Sequence, residues 1–123
     1  MSKLRIELTK QHRGGENSGS FSGRSNGEQV REVLDLNLKD KDDNTYMISI
    51  PCDTISFNPS FYLGLFYDSF KKLGGLEHFK EKYVFDLSNL TEDQQKSIGA
   101  NLSQNERKAS NEYKGLTGLD IFM

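Results

Sequence analysis

The alternation of apolar and polar positions starts almost at once. In Lys3-Leu-Arg-Ile-Glu-Leu-Thr9, Leu4, Ile6 and Leu8 recur every second residue, the period of a half-buried strand. Residues 11–27 then hold five Gly and four Ser, with Phe21 as their single apolar side chain, so residues 11–24 are expected to form a flexible loop. Ser25-Asn-Gly-Glu28 has the spacing of a capping box. Val30, Val33, Leu34 and either Asn37 or Leu38 follow at helical spacing, which predicts a helix of about three turns over 27–38. The alternating charges of Lys39-Asp-Lys-Asp-Asp43 suit a solvated turn.

Residues 45–52 read as a central strand, with Tyr46, Ile48 and Ile50 on one face, Met47 on the other, and Pro51 at its end. The clearest helix follows. Asn58 suits the N-cap, Pro59 the first helical position, and Gly74-Gly75 the stop. Between them Leu63, Phe66, Phe70 and Leu73 form one stripe, and Lys71 and Lys72 sit where the helix dipole favours cations. Residues 76–82 add one helical turn, and residues 83–87 read as a short strand. Thr91-Glu-Asp-Gln94 is a second capping box, opening a polar helix to about Lys108 with a narrow stripe of Ile98, Leu102 and Ala109. Residues 114–123 read as an apolar tail. The order β, loop, α, β, α, β, α predicts one α/β domain spanning 1–123, a mixed and mainly parallel sheet of about four strands with helices packed on it.

Eight Phe and five Tyr, with no Trp, place the core between residues 57 and 85. Sixteen basic against eighteen acidic side chains leave a formal charge of −2, which gives no electrostatic case for nucleic-acid or anionic-membrane binding. The lone Cys52 implies no oxidising compartment, and no run approaches a membrane span, so the cytoplasm is the expected location. Gly14–Gly27 lacks the phosphate-loop signature. His12 and His78 stand at no metal-ligand spacing from Cys52 or from each other; no metal and no cofactor is expected. Cys52 reads as a small buried thiol at a strand end. Asp53, Asp68 and Asp86 are carboxylates that either serve a site or cap. The most informative stretch is 54–65, where a β-rich segment runs into a helix whose first turn carries Ser60. Unpaired N–H groups there favour an anion, against the simpler role of Ser and Asn as helix caps.

Three blocks resemble one known family. They are Phe21-Ser-Gly-Arg-Ser-Asn-Gly-Glu-Gln-Val-Arg-Glu-Val-Leu34, Ile55-Ser-Phe-Asn-Pro-Ser-Phe-Tyr-Leu-Gly-Leu-Phe66 and Phe70-Lys-Lys-Leu-Gly-Gly-Leu-Glu-His-Phe-Lys-Glu-Lys-Tyr83. In order and spacing they are similar to the STAS-like family, relatives of the STAS domain of anti-sigma-factor antagonists. The resemblance implies a non-enzymatic regulatory module without a cofactor. A histidine-kinase-type ATPase would phosphorylate a hydroxyl at the strand-to-helix turn and so release a protein partner. By position that hydroxyl is Ser60, with Ser56 second, and the partner surface comprises Thr54, Asn58, Pro59, Ser60 and Phe61. Asn58-Pro59-Ser60-Phe61 replaces the Asp-Ser-Ser/Thr-Gly of the antagonists. Two other classes compete: a small enzyme using Cys52 or Asp53, and an accessory or inhibitor protein of a mobile element or defence system.

Overall fold

The computed structural model describes residues 3–13 and 19–117. The protein is α/β. Strands β1 (Lys3–Glu7), β3 (Thr45–Ser49) and β5 (Tyr83–Asp86) form an all-parallel sheet in the order β1-β3-β5. Two short strands, β2 (Ser20–Phe21) and β4 (Ser56–Phe57), pair separately, also in parallel. The expected single sheet of four strands is therefore a three-stranded sheet plus a two-residue ladder. The chain leaves β1 and β3, turns, and re-pairs as β2 and β4 directly before helices α1 (Arg24–Val33) and α3 (Pro59–Leu73).

Ile6, Leu8, Tyr46, Ile48, Ile50 and Tyr83 line the helix-covered face of the sheet and are buried. Lys3, Arg5, Glu7, Met47 and Val84 take the opposite face, as the period of two requires. The core extends well beyond residues 57–85, because Phe21, Leu36, Ile98 and Ala109 join the aromatic cluster from outside that interval.

The α3 helix forms as its sequence dictates. Asn58 is extended (φ −81°, ψ 150°), Pro59 opens the helix, and Gly74 ends it in the left-handed region (φ 87°), where a Cβ is disfavoured. The stripe of Leu63, Phe66 and Phe70 is buried, and so are Phe61, Tyr62 and Leu65, so α3 is the central helix and is enclosed on most sides. Its closest neighbour is α1. A Cβ added to Gly64 would lie 2.1 Å from the carbonyl oxygen of Arg24, so the two backbones touch.

Elsewhere the chain departs from expectation. The helix expected over 27–38 begins earlier and breaks. Because α1 starts at Arg24 after Gly23, Ser25 already lies inside its first turn, and the Ser25/Glu28 box does not form. At Asp35 the backbone turns left-handed (φ 57°) and a short helix α2 (Leu36–Lys39) follows. The break buries Leu36 completely and leaves Val33 and Leu38 exposed. The charged turn is not wholly solvated either. Asp40 is buried and accepts hydrogen bonds from Arg31, from Ser69 (2.7 Å) and from the Tyr83 hydroxyl (2.6 Å), tying α1, α3 and β5 to one carboxylate.

The loop expected to be flexible is pinned at both described ends. Lys10–His12 form a 3-10 turn, Arg13 is buried, and Phe21 is wholly enclosed by Phe57 and Phe61. Residues 14–18, with the start of the glycine-rich stretch, lie outside the described residues. Helix α4 (Leu76–Lys82) makes two turns rather than one. The second capping box forms as read: Gln94 N–H donates to Thr91 Oγ1 (3.2 Å) and Thr91 N–H to Gln94 Oε1 (2.9 Å). Helix α5 (Glu92–Thr117) runs past Lys108, so the first residues of the expected tail are helical, and residues 118–123 lie outside the described residues. Among the described residues no helix is long and apolar enough to cross a membrane.

Candidate functional site at the head of the third helix

The two-residue ladder sets the geometry. Because β2 and β4 run in parallel and each feeds a helix, the N-termini of α1 and α3 emerge side by side. Ile55 N–H donates to the Gly19 carbonyl (2.7 Å) and Asn58 N–H to that of Phe21 (2.9 Å), locking both helix starts in register. The other side of β4 is held by α5: Phe57 N–H donates to Asn101 Oδ1 (3.0 Å), and Asn105 Nδ2 donates to the Phe57 carbonyl (2.8 Å).

Ser60 is exposed in the first turn of α3, and its Oγ accepts a hydrogen bond from Gly23 N–H (3.3 Å), the N-cap residue of α1. No side chain caps either helix. Asn58 occupies the N-cap position, but its amide turns aside and Ser56 Oγ reaches Asn58 Oδ1 at 3.4 Å. Two sets of unpaired N–H groups and two dipole ends thus converge near one hydroxyl, which favours negative charge there. Ser56 is half-buried and its hydroxyl lies 2.6 Å from that of Ser20, so it is the less accessible of the two.

The other residues expected at this surface divide. Asn58 and Pro59 are half-buried at the rim. Thr54 and Phe61 are buried, which removes them from a partner-contacting role. Thr54 bonds inward: its hydroxyl donates to the Pro51 carbonyl (2.7 Å) and accepts from Arg13 Nη2 (2.7 Å). Phe61 packs on Phe21 and Phe57. Ile55, the first residue of the second resembling block, is 72% exposed. It borders a cleft of about 290 Å³ lined by Asp53, Asp93, Gln94 and Ser97. Its only sequence signal is an apolar residue out of phase with its neighbours Thr54 and Ser56, at the start of the segment that becomes β4.

Cys52 is exposed, not buried, because the chain turns away from the sheet after Ile50. Its carbonyl accepts from Gln94 Nε2 (2.6 Å). Asp53 is paired with Arg13 (2.7 Å) and Lys10 (3.2 Å), and the hydrogen bond from Arg13 leads in lowering its pKa to about 2, with that from Lys10 second. A carboxylate so held is a poor base near neutrality. Asp86 is likewise lowered to about 2, first by its hydrogen bond with Ser88, then by Arg5. Asp68 sits mid-helix in α3 and pairs with Lys71 (3.1 Å). His78 lines a cleft with Asp42, Asp43 and Thr45 at the start of β3, whereas Cys52 lies beyond that strand's end, so the structure does not bring Cys52 and His78 together. No group of three or more His, Cys, Asp or Glu suited to a metal ion occurs among the described residues.

Comparison with known proteins returns no match: no family model, no curated protein and no solved structure is detectably similar to this chain.

Proposed function

We propose that this chain is a non-enzymatic regulatory module of the cytoplasm that binds a protein partner at the head of α3, and that phosphorylation of Ser60 by a histidine-kinase-type ATPase switches the binding. The observation that carries the reading is the exposed Ser60 hydroxyl held against Gly23 N–H where two uncapped helices begin. A phosphoryl group there would add about −1.5 to −2 charges in a place that tolerates them. The fold would remain, and the surface patch around Ser60 at the head of α3 would become anionic. A partner docked on that patch would meet repulsion and a desolvation cost. Ser60 rather than Ser56 takes the role because it is the exposed hydroxyl.

The test is capture of an ATPase partner by the tagged chain in its native host, followed by affinity measurements on Ser60→Ala and Ser60→Asp. Loss of about tenfold or more with Ser60→Asp, retention with Ser60→Ala, and equal thermal midpoints support the switch. Equal affinity of all three for a captured partner overturns it.

A further inference from the structure

The outer edge of β1 is built to pair with itself, and the geometry points to a homodimer in which two β1 strands lie antiparallel and join two sheets into one of six strands. β1 is an edge strand with β3 on one side. Leu8 N–H donates to the Ser49 carbonyl (3.0 Å), continuing the β1–β3 ladder. Since residues alternate along a strand, Leu4, Ile6 and Leu8 aim their backbone groups at β3, while Lys3, Arg5 and Glu7 aim theirs outward. Among the described residues no strand pairs with that outer edge.

An antiparallel copy centred on Arg5 meets this edge in register. Lys3, Arg5 and Glu7 become the hydrogen-bonded pairs, with Lys3 opposite Glu7 of the second copy at both ends of the ladder. Charges on an edge strand usually deter pairing. Here their order makes them self-complementary, as a two-fold interface requires. Lys3 and Glu7 are exposed and form no ion pair among the described residues, so both are free for this role. The one like-charge position is the two-fold centre, Arg5 against Arg5. Each Arg5 is drawn back across its own sheet to Asp86, Nη2 to Oδ2 2.9 Å, away from the edge. On the helix-covered side, Leu4 is 45% exposed and would fall opposite Ile6 of the second copy, which would cover it.

Charge reversal with sedimentation velocity at low salt tests the pairing, because screening is then weakest. Wild type should show a concentration-dependent dimer. Lys3→Glu and Glu7→Lys each place like charges opposite one another at both ends and should weaken it about tenfold. The double variant Lys3→Glu/Glu7→Lys should restore it. An equimolar mixture of the two single variants should form a heterodimer, since one chain is then acidic at both ends of β1 and the other basic at both. Unchanged circular dichroism and thermal midpoints check that each variant folds. A wild type that stays monomeric at every concentration overturns the inference. So does a dimer indifferent to the reversals, because its interface would lie elsewhere.

Discussion

Gly27 and Gly64 face each other where α1 meets α3: a methyl placed on Gly27 would come 3.1 Å from the Gly64 Cα and 2.3 Å from the Phe61 carbonyl oxygen. Both obstacles are backbone, which cannot swing aside. In an exposed helix, Gly→Ala gains up to about 1 kcal/mol from propensity. At Gly64 the forced separation of the helices should outweigh that gain, and Gly64→Ala should lose about 1–3 kcal/mol or more. Gly99, inside α5 with nothing within 4 Å of its Cβ direction, is the control. Gly99→Ala should gain about 0.5–1 kcal/mol. Urea unfolding of both variants measures the contrast, and a gain from Gly64→Ala as well would show that the α1–α3 contact does not require glycine.

Two buried tyrosines should respond oppositely to loss of the hydroxyl. The Tyr83 hydroxyl donates to the buried Asp40 carboxylate, and Tyr83→Phe should cost about 1–3 kcal/mol by leaving a charged acceptor short of a donor. The Tyr62 hydroxyl is buried among Phe57, Phe66 and Phe79 without a hydrogen-bond partner among the described residues. Its burial raises its pKa well above the ordinary value, with the nearby Glu106 adding to the effect. Tyr62→Phe should therefore be neutral or stabilising. Chemical denaturation decides, and an equal loss from both variants would mean that the Tyr62 hydroxyl is satisfied in solution.

Asp53 gives a defined pH signature. Its folded pKa, about 2, lies below the ordinary 3.8, so the unfolded chain binds the proton more readily. Its contribution to stability is then fully present above pH 3.8 and lost as pH falls through about 2. The thermal midpoint of wild type should exceed that of Asp53→Asn near neutrality, and the gap should close between those two values. A gap independent of pH would assign the effect to something other than the carboxylate charge. Because Asp53 is exposed, the difference should be small and should shrink with added salt.

The parts legible in the sequence are those fixed by local chemistry. β1 follows from alternation, β3 from its nearly continuous run of β-forming residues, α3 from Asn58-Pro59 at one end and Gly74 at the other, and the start of α5 from Thr91 and Gln94. What escapes the sequence depends on distant partners. Phe21 looks isolated in a glycine-rich loop, and only the aromatic rings of β4 and α3 explain its burial. Asp40 looks like one charge in a solvated run until Arg31, Ser69 and Tyr83 surround it. At the candidate site, Ser60 is readable from its place after Pro59. Its contact with Gly23 is not, because β2 and β4 are too short to announce themselves. Asn105 is a partial exception. It continues the stripe of Ile98, Leu102 and Ala109 at helical spacing, a polar residue in an apolar series that signals a buried hydrogen bond.

Asn101 and Asn105, one helical turn apart on α5, satisfy the N–H and the carbonyl of Phe57 as an adjacent strand would. The last described helix is therefore a guard against aggregation as well as a packing element. A chain shortened before Glu92 would bare both backbone groups of Phe57 beside newly exposed aromatic rings, the combination that recruits strands from other molecules. Expression of such a fragment should give insoluble material, whereas Asn101→Ala and Asn105→Ala, which keep the helix in place, should lower stability and leave the protein soluble.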